Sequence, residues 1–477
     1  GQPVPDPGPR KPVLWIDGAR DPLAYPALCL ASRSLRPGGR TPVFAYAGHS
    51  DPRPLQASVM RRLSEFFLKL PRKLVRLFGG RNDIQLECFN SLRELPSDAL
   101  DWLRRLEEES LFFGPEWLAT YESEVGRKEG QPELYCVRDR DDRLLGVWPF
   151  VRKRTSWGDL LEGMANYYSP YFTLRLDVGG RQPELVYYGA LRALLRRAPR
   201  VSVWPLAPPE PFLRSVASRS LVDFIAVMRE LHTVNWFQPV GDLEDYLRTR
   251  SSRLRNTIRR QRRKLARNHD VSLHLYDRPG PELEGAIDEY FKVYRNSWKR
   301  VEAYPEFIAN LIRVLAAKGW LRLGILRVDG DPAAAQLWVT QHRVAHIYKL
   351  SYDERYGKWS VGTQLTVWMM EQSFYNDGVR RIDYLTGNDP YKQLWMDESR
   401  PLEQVWLMNL LTIGGAGFWA RRRLSRLWHT LRGDRTPGGD SGLSPGRAVG
   451  ALEVGSARPP SVASGSAPGR APVVFPE

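Results

Sequence analysis

The segment YKLSYDERYGKWSVGTQLTVWMMEQ, residues 348–372, contains the end of a strand, a loop and most of a helix. Alternating side chains over residues 344–352 predict the strand. Residues 363–377 predict the helix, and residues 380–386 predict a further strand. The loop holds Gly362 and a Ser or Thr suited to capping the helix. A strand, loop, helix and strand are therefore expected in this order.

The same order of elements occurs twice along the chain. Upstream of the quoted segment, the sequence predicts a helix at 305–318, a strand at 320–328, the turn DGDP at 329–332 and a strand at 333–341. The first half predicts a helix at 115–125, strands at 133–138 and 143–154 around the turn DRDD, a helix at 184–197 and a strand at 200–206. This repeat predicts an α/β fold (α+β, with a mixed sheet) in two similar tandem domains.

The predicted organisation has five parts: a partly ordered N-terminal extension (1–95), a first domain (96–235), a second, catalytic domain (236–412), a basic amphipathic helix (413–432) and a disordered tail (433–477). The tail is rich in Gly, Ser, Pro and Ala, so it cannot bury enough apolar surface to offset the entropy of ordering. Within the extension, residues 60–80 predict a helix interrupted by Pro71. Packing on the body of the protein and contact with a membrane or nucleic acid both fit that helix.

The composition argues against several classes of protein. Three widely spaced cysteines, Cys29, Cys88 and Cys136, form no CxxC pair, which favours a reducing, cytoplasmic compartment over a disulfide framework. His342 and His346 have no carboxylate or Cys to complete a site, so no metal is expected. The longest uncharged run, residues 404–420, is too short to span a bilayer. The net charge of +16 predicts attraction to anions.

Two stretches near the end of the repeat carry a resemblance to a known family. Residues 348–372 and the segment GVRRIDYLTGNDPYKQLW, residues 378–395, resemble the GNAT acyltransferase superfamily. The closest likeness is to its FemAB-like branch, which has tandem GNAT domains, and to the CelD/BcsL-like acetyltransferases of cellulose biosynthesis. The first half resembles these proteins only in outline, through GPEWLATYE (114–122) and LLGVWPFV (144–151).

The loop before the predicted helix could hold a diphosphate. Unpaired N–H groups and the helix dipole favour anions at a helix N-terminus. The candidate donor-binding residues are Arg355, Lys358, Ser360, Val361, Gly362 and Thr363. The resemblance implies that coenzyme A, carrying an acetyl or other acyl group, binds here as co-substrate. An ordinary helix-capping loop is the alternative.

The segment DYLTGNDPYKQLW, residues 383–395, holds the candidate catalytic residues Asp383, Asp389, Tyr391 and Lys392. An alkyl amine is almost wholly ammonium at neutral pH, so a base must remove its proton before it can attack. Asp383 or Asp389 could do so. Alternatively, Asp383 is a buried carboxylate hydrogen-bonded to the backbone or to an arginine such as Arg380 or Arg381, and Asp389 forms a turn with Pro390. The resemblance implies that Lys392, presented after Gly387, faces a phosphate or the developing oxyanion; an exposed lysine is the alternative.

The predicted acceptor side comprises Trp298, Lys299, Tyr352 and Gly387. Trp298 and Lys299 lie near the end of a helix that is predicted to reach Arg300. The apolar face of this helix also suits packing in the core. The resemblance places this pair at the acceptor cleft.

Two basic segments suggest anionic partners. Residues 248–267 contain ten basic residues and no acidic one, with Leu247, Leu254, Ile258 and Leu265 at helical spacing. A polyanionic acceptor, a tRNA-borne donor or phospholipid head groups fit this helix, as does a solvated helix paired with acidic residues of the first domain. Residues 418–432 suit either a membrane interface or docking on the domain.

Three functions are consistent with these features. The first is an N-acyltransferase that uses acyl-coenzyme A and an amine acceptor, a polysaccharide or cell-envelope precursor, by direct attack. The second is an aminoacyl-tRNA-dependent transferase. The third is a non-catalytic scaffold at an anionic membrane surface, on the inner face of the membrane.

Overall fold

A computed structural model of the chain describes residues 84–208, 210–217 and 224–431. The predicted helix at 60–80 and the predicted tail at 433–477 lie outside these residues. Strands of the described part form one sheet, and their bounds are β1 Ile84–Phe89, β2 Gln131–Asp139, β3 Leu144–Thr155, β4 Gly158–Gly163, β5 Arg200–Leu206, β6 Ile225–Pro239, β7 Val271–Tyr276, β8 Leu321–Val328, β9 Asp331–Gln341, β10 Val344–Tyr352, β11 Arg381–Thr386 and β12 Glu398–Asn409. Their order across the sheet is β1-β2-β3-β4-β5-β12-β6-β11-β10-β9-β8-β7.

The two halves of the sheet share one pattern. In each half four antiparallel strands, β1 to β4 or β7 to β10, are followed by a parallel neighbour, β5 or β11. The halves then exchange strands: β12 pairs with β5, and β6 pairs with β11. β6 and β12 also pair with each other along most of their length, which joins the halves into a continuous sheet.

Helices cover both faces of the sheet. Their bounds are α1 Ser97–Glu107, α2 Pro115–Tyr121, α3 Arg127–Glu129, α4 Pro183–Arg197, α5 Pro211–Ala217, α6 Leu243–Thr249, α7 Ser252–Asn268, α8 Pro281–Arg295, α9 Pro305–Ala317, α10 Val361–Tyr375, α11 Lys392–Trp395 and α12 Ile413–Leu431. Helices α1, α2, α8 and α9 share one apolar core, which contacts strands of both halves. On the opposite face, α4 and α5 pack on the first half, and α6, α7 and α10 pack on the second.

Local sequence explains many of these boundaries. Proline occupies the first turn of α8 and α9, where its missing N–H costs nothing. The β8–β9 turn places Asp329 and Gly330 at positive φ, as a two-residue hairpin requires, and Asp and Gly tolerate that conformation. The side chain of Ser251 caps α7 by accepting a hydrogen bond from the N–H of Leu254. The predicted mixed α/β fold is confirmed.

Several boundaries differ from the predictions. Helix α8 ends at Arg295 rather than Arg300, because the Asn296 side chain turns away to donate to Asp353. The basic segment is interrupted at Arg250 and Ser251, where α6 ends and α7 begins.

The predicted boundary between residues 235 and 236 falls inside β6. The division into two domains therefore stays a prediction, since the halves share one sheet and one core. None of the helices within the described ranges is both long and apolar enough to cross a membrane.

Candidate active site

A cavity opens where β10 and β11 separate. The two strands pair in parallel from Val344 and Arg381 only as far as His346 and Asp383. Beyond that point β11 is irregular, and Leu385 has a φ of 55°. The cavity between the parted ends has a volume of about 90 Å³. Its walls are formed by Tyr167, Tyr168, Pro170, Lys299, Ile347, Tyr348, Lys349, Leu350, Tyr384, Leu385, Thr386, Tyr391 and Lys392.

Lys392 projects into this cavity and is only 4% exposed. The chain reaches it through Gly387, at a φ of 112°, and a turn in which the Lys392 N–H donates to the carbonyl of Asp389 at 3.0 Å. The ammonium donates to the carbonyl of Thr386 and lies 3.5 Å from the Asp389 carboxylate. Burial lowers the pKa of Lys392, and Asp389 opposes that shift. The alternative of an exposed lysine is therefore wrong.

Gly387 and Tyr391 complete this corner of the cavity. A Cβ on Gly387 would lie 3.0 Å from both the Lys392 ammonium and the Asp389 carboxylate, so a larger residue would displace the pair. The Tyr391 ring lines the cavity and meets the Tyr384 ring edge-on at 5.9 Å. Four residues predicted from one short segment thus lie together here.

A second lysine, Lys349 on β10, faces the same cavity in a group that the sequence did not reveal. Its ammonium lies 2.5 Å from the Glu302 carboxylate, which also accepts hydrogen bonds from the hydroxyls of Tyr167, at 2.8 Å, and Tyr168. Burial raises the pKa of Glu302, but Lys349 and the two hydroxyls lower it further, so its net shift is downward. The cluster therefore holds a charged carboxylate in the wall.

Tyr167 and Tyr168 belong to an irregular segment of the first half that reaches the second half's cavity. No local motif marks Glu302 and Lys349, which are 47 residues apart in sequence. The signal available for the tyrosines was an aromatic pair, followed by Ser169 and Pro170, in a long loop.

Lys299 is the third lysine of the cavity. It is half-buried, and its ammonium lies 5.6 Å from the centre of the Tyr294 ring and 5.8 Å from that of Trp298. Burial, followed by the charge of Lys349, lowers the pKa of Lys299 to about 8. The Trp298 ring is 42% exposed and contacts the Tyr352 ring at 4.6 Å. The predicted acceptor residues Trp298, Lys299 and Tyr352 are thus neighbours, and of the three Lys299 lines the cavity.

The start of α10 lies beside the same region. Gly362 packs against Tyr352, and a Cβ on Gly362 would lie 3.1 Å from that ring. Ser360 precedes the helix in a left-handed conformation, and its side chain makes no capping hydrogen bond, so the predicted cap is wrong. Within the described part of the chain, the N–H groups of Val361, Gly362 and Thr363 have no hydrogen-bond acceptor. Three amide donors are therefore available at this terminus.

The two basic residues predicted to assist this helix terminus have other contacts. The Arg355 guanidinium donates to the Asp353 carboxylate at 2.8 Å. Lys358 is exposed, and its ammonium lies 4.0 Å from the centre of the Trp359 ring. Their positive charges remain close to the loop, but the backbone amides are its strongest anion-binding feature.

Asp383 lies behind the cavity and does not line it. It is fully buried and accepts hydrogen bonds from the Tyr171 hydroxyl at 2.9 Å, the Asn235 amide at 2.6 Å and the Leu385 N–H at 2.8 Å. The predicted alternative of a buried carboxylate bonded to the backbone is observed, through the Leu385 N–H, and none of the hydrogen bonds or ion pairs of the described residues joins Asp383 to Arg380 or Arg381. Arg400 instead joins this group by donating to Asn235 and Tyr171. A catalytic role for Asp383 stays a prediction.

The corresponding gap in the first half is filled by its own chain. β4 and β5 also pair in parallel over a short distance, from Leu160 and Arg200 to Glu162 and Ser202. Phe172 then bridges the strands: its N–H donates to the Pro205 carbonyl at 2.9 Å, and a Cβ on Gly163 would lie 2.8 Å from its ring. The space between β4 and β5 is therefore occupied.

The basic helix α7 lies beside the first turns of α10. Gln364 donates to the Ile258 carbonyl at 3.2 Å, Arg262 lies 3.3 Å from Glu371, and the His269 ring contacts Trp359. Among the described residues, the ion pairs of the basic segment are made with Asp245, Asp397 and Glu371. The predicted pairing with acidic residues of the first domain is therefore wrong, and most of its arginines are without a carboxylate partner in that part of the chain.

Comparisons with known proteins agree with the predicted family. Residues 252–393 match the family described as Acetyltransferase (GNAT) domain. No protein of curated function matches the chain. In the described part of the chain, no cluster of three or more His, Cys, Asp and Glu side chains is arranged to hold a metal.

Solved structures resemble the chain weakly. The crystal structure of FemX matches at 11% identity and a TM-score of 0.43, over 62% of this chain and 92% of that one. The structure of L-PGS from Bacillus licheniformis matches at 9% identity and a TM-score of 0.38, over 61% of this chain and 91% of that one. A tandem GNAT protein from the clavulanic acid biosynthesis pathway matches at 12% identity and a TM-score of 0.38, over 68% of this chain and 98% of that one. On the strength of the family match, the chain carries an acetyltransferase (GNAT) domain over residues 252–393.

Proposed function

We propose that the protein is an N-acyltransferase that transfers an acyl group from acyl-coenzyme A to an amine. The single observation that carries this proposal is the cavity between β10 and β11, which holds Lys392. The free amides at the start of α10 lie next to Tyr352, the last residue of β10. In this arrangement the amides of Val361, Gly362 and Thr363 bind the donor's diphosphate. The thioester then extends along the strand ends toward Lys392.

Direct attack by the amine is the route that these residues support. None of the residues lining the cavity is a Cys, Ser or His, so the walls hold no Cys–His or Ser–His pair of the kind that forms an acyl-enzyme. As the amine attacks the thioester carbonyl, negative charge develops on the carbonyl oxygen. A buried ammonium at that point stabilises the charge by about 3 kcal/mol, the scale measured for single oxyanion donors.

The acceptor's proton must leave before attack. Asp389 is the carboxylate nearest to the Lys392 ammonium, and its exposure to solvent gives a proton an exit path. We assign the acceptor to polysaccharide or cell-envelope precursors because the exposed Trp298 ring, packed on Tyr352, offers an apolar face beside the cavity. Such a face suits one side of a sugar ring.

Calorimetric titration with acetyl-coenzyme A tests the donor site. Gly362→Glu introduces a negative charge among the amides and is expected to abolish measurable binding, whereas Gly362→Ala adds only the Cβ and should weaken it modestly. Gly285→Glu is the matched control, because a Cβ at that exposed position on α8 meets nothing within 4 Å. Thermal unfolding of each variant checks that the fold is intact.

The chemical step is tested with Lys392→Ala. It should lower kcat by about a hundredfold with acetyl-coenzyme A and a suitable amine, because one oxyanion donor is lost. Lys292→Ala, at an exposed position, should leave kcat unchanged. Unaltered acetyl-coenzyme A binding in Gly362→Glu, together with unaltered kcat in Lys392→Ala, would rule out both assignments.

An aminoacyl-tRNA donor is the second candidate, and the position of α7 favours it. The basic helix lies directly beside the proposed diphosphate site, so a polyanion bound along α7 would bring its end to α10. Filter binding should then show tRNA retention that falls steeply with salt, and a shallower salt dependence when Arg259, Arg260 and Arg263 are changed to Gln. If tRNA is not retained on the filter even at low salt, the aminoacyl-tRNA donor is ruled out.

A further inference from the structure

The cavity contains more positive charge than its carboxylates balance. Lys349 is paired with Glu302 at 2.5 Å, and Lys392 has Asp389 at 3.5 Å and the Thr386 carbonyl. Within the described residues, Lys299 has no carboxylate at ion-pair distance and no hydrogen-bond acceptor for its ammonium. Its surroundings are the aromatic rings of Tyr294 and Trp298. One ammonium of the three thus lacks a counter-charge.

An ammonium in this position is unfavourable in the empty cavity. Removal from water destabilises the charged form, and the nearby positive charges of Lys349 and Lys392 add repulsion. The more distant charges of Glu302 and Asp389 offset this only in part, so the pKa of Lys299 falls to about 8. Charged groups that lose hydration are normally paired. A bound anion would supply the missing partner and stabilise the ammonium form.

We propose that Lys299 binds a single anionic group, a carboxylate or a phosphate, carried by the acceptor. The inference rests on the proposed function, because it identifies the acceptor as an amine that also bears a negative charge. The donor's diphosphate is assigned to the amides at the start of α10, and its thioester end is uncharged. The anion that reaches Lys299 is therefore contributed by the second substrate.

The cavity's size and its fixed wall agree with this role. A volume of about 90 Å³ accommodates a phosphate or carboxylate group. The hydroxyls of Tyr167 and Tyr168 and the ammonium of Lys349 hold Glu302 in place, so the wall facing Lys299 is rigid. Glu302 also limits the total positive charge, which keeps the anion exchangeable.

Binding of inorganic phosphate and of acetate, measured by calorimetry at constant ionic strength, tests the subsite without depending on catalysis. Lys299→Gln is expected to weaken phosphate binding about tenfold or more, whereas Lys299→Arg, which keeps the charge, should change it by less than about threefold. Glu302→Gln should tighten phosphate binding, because it removes the negative charge beside Lys349. Lys292→Gln is the exposed control.

Paired acceptors extend the test to catalysis. With acetyl-coenzyme A as donor, kcat/KM should be higher for glucosamine 6-phosphate than for glucosamine, and higher for glycine than for glycinamide. Lys299→Gln should remove each difference, and Lys299→Arg should keep it. The preferred pair shows whether phosphate or carboxylate is the natural group.

The outcomes separate this inference from the proposed function. Phosphate that does not bind, or that binds equally to the wild type and Lys299→Gln, overturns the subsite even if acetyl-coenzyme A binds as expected. Phosphate binding lost only in Gly362→Glu assigns the anion to the donor site and also overturns it. If Lys299→Arg loses kcat as completely as Lys299→Gln while phosphate binding is kept, the residue accepts a proton and does not select an anion.

Discussion

The amide of Asn235 on β6 donates a 2.6 Å hydrogen bond to the carboxylate of Asp383 on β11. This bond joins β6, the first-half strand that pairs with the second half, to β11, which forms one wall of the cavity. Asp383 also accepts from Tyr171 and Leu385, so three donors converge on one fully buried carboxylate. The group fixes the point at which β10 and β11 separate.

Asp383→Asn is expected to destabilise the protein by about 2–4 kcal/mol, because its amide nitrogen would face donors in a buried site. Urea unfolding gives the free energy directly. Asp288→Asn, at an exposed position on α8, should change it by less than about 0.5 kcal/mol. An unaltered unfolding free energy in Asp383→Asn, combined with lost acyl transfer, would instead assign Asp383 to the chemistry.

The Asp383 group also shows what the sequence could predict. Turn residues have local signatures, which mark Gly387 and Asp389 in the sequence. The roles of Tyr391 and Lys392 are what the family resemblance implies. Tyr171 and Asn235 lie 212 and 148 residues before Asp383, and no periodicity reports such contacts.

The same reasoning applies to the fold. Residue spacing predicted the strands that correspond to β2, β3, β5 and β8 to β11. It did not predict β1, β4, β6, β7 or β12. The exchange of β6 and β12 between the halves depends on pairing between distant segments, which one sequence does not encode in a readable pattern.

Lys299→Met is expected to stabilise the protein at neutral pH. The ordinary pKa of a lysine is about 10.4, and the folded value is about 8, so folding releases a proton between these limits. Wild-type stability therefore rises with pH across that interval. The variant's advantage, about 1–3 kcal/mol at neutral pH, should shrink toward zero as the pH approaches 10.4.

Urea unfolding at neutral pH and at alkaline pH measures this difference, with Lys292→Met as the exposed control. An advantage that stays constant with pH would show that improved apolar packing, and not the buried charge, causes the stabilisation. Loss of anion binding in the same variant would show that the unfavourable ammonium is retained for function.

Phe172→Ala is expected to separate stability from donor binding. The ring is buried between the ends of β4 and β5, so its removal should cost about 3–5 kcal/mol. Because Phe172 occupies the first half's gap and the donor is assigned to the second half, the dissociation constant for acetyl-coenzyme A should not change. Phe172→Leu, which fills more of the space, should cost less. Weaker acetyl-coenzyme A binding in Phe172→Ala would place part of the donor site in the first half.

Helix α12 contains a docked part and an exposed part. Phe418 is buried, with its ring 5.1 Å from that of Trp406 and 4.8 Å from the guanidinium of Arg200. Arg422 pairs with Glu230 on β6. One turn further on, Leu424 is 61% exposed. Docking on the sheet therefore describes the first part of α12, whereas the second part presents apolar surface.

Phe418→Ala is accordingly expected to cost about 2–4 kcal/mol, through lost burial and through the lost contact with Arg200. Leu424→Ala, in the same helix, should change the unfolding free energy by less than about 0.5 kcal/mol. Urea unfolding of the two variants provides the comparison. Equal costs would mean that Leu424 is covered in solution. In that case co-sedimentation with anionic vesicles, compared between Leu424→Ala and the wild type, would distinguish a membrane surface from a second copy of the chain.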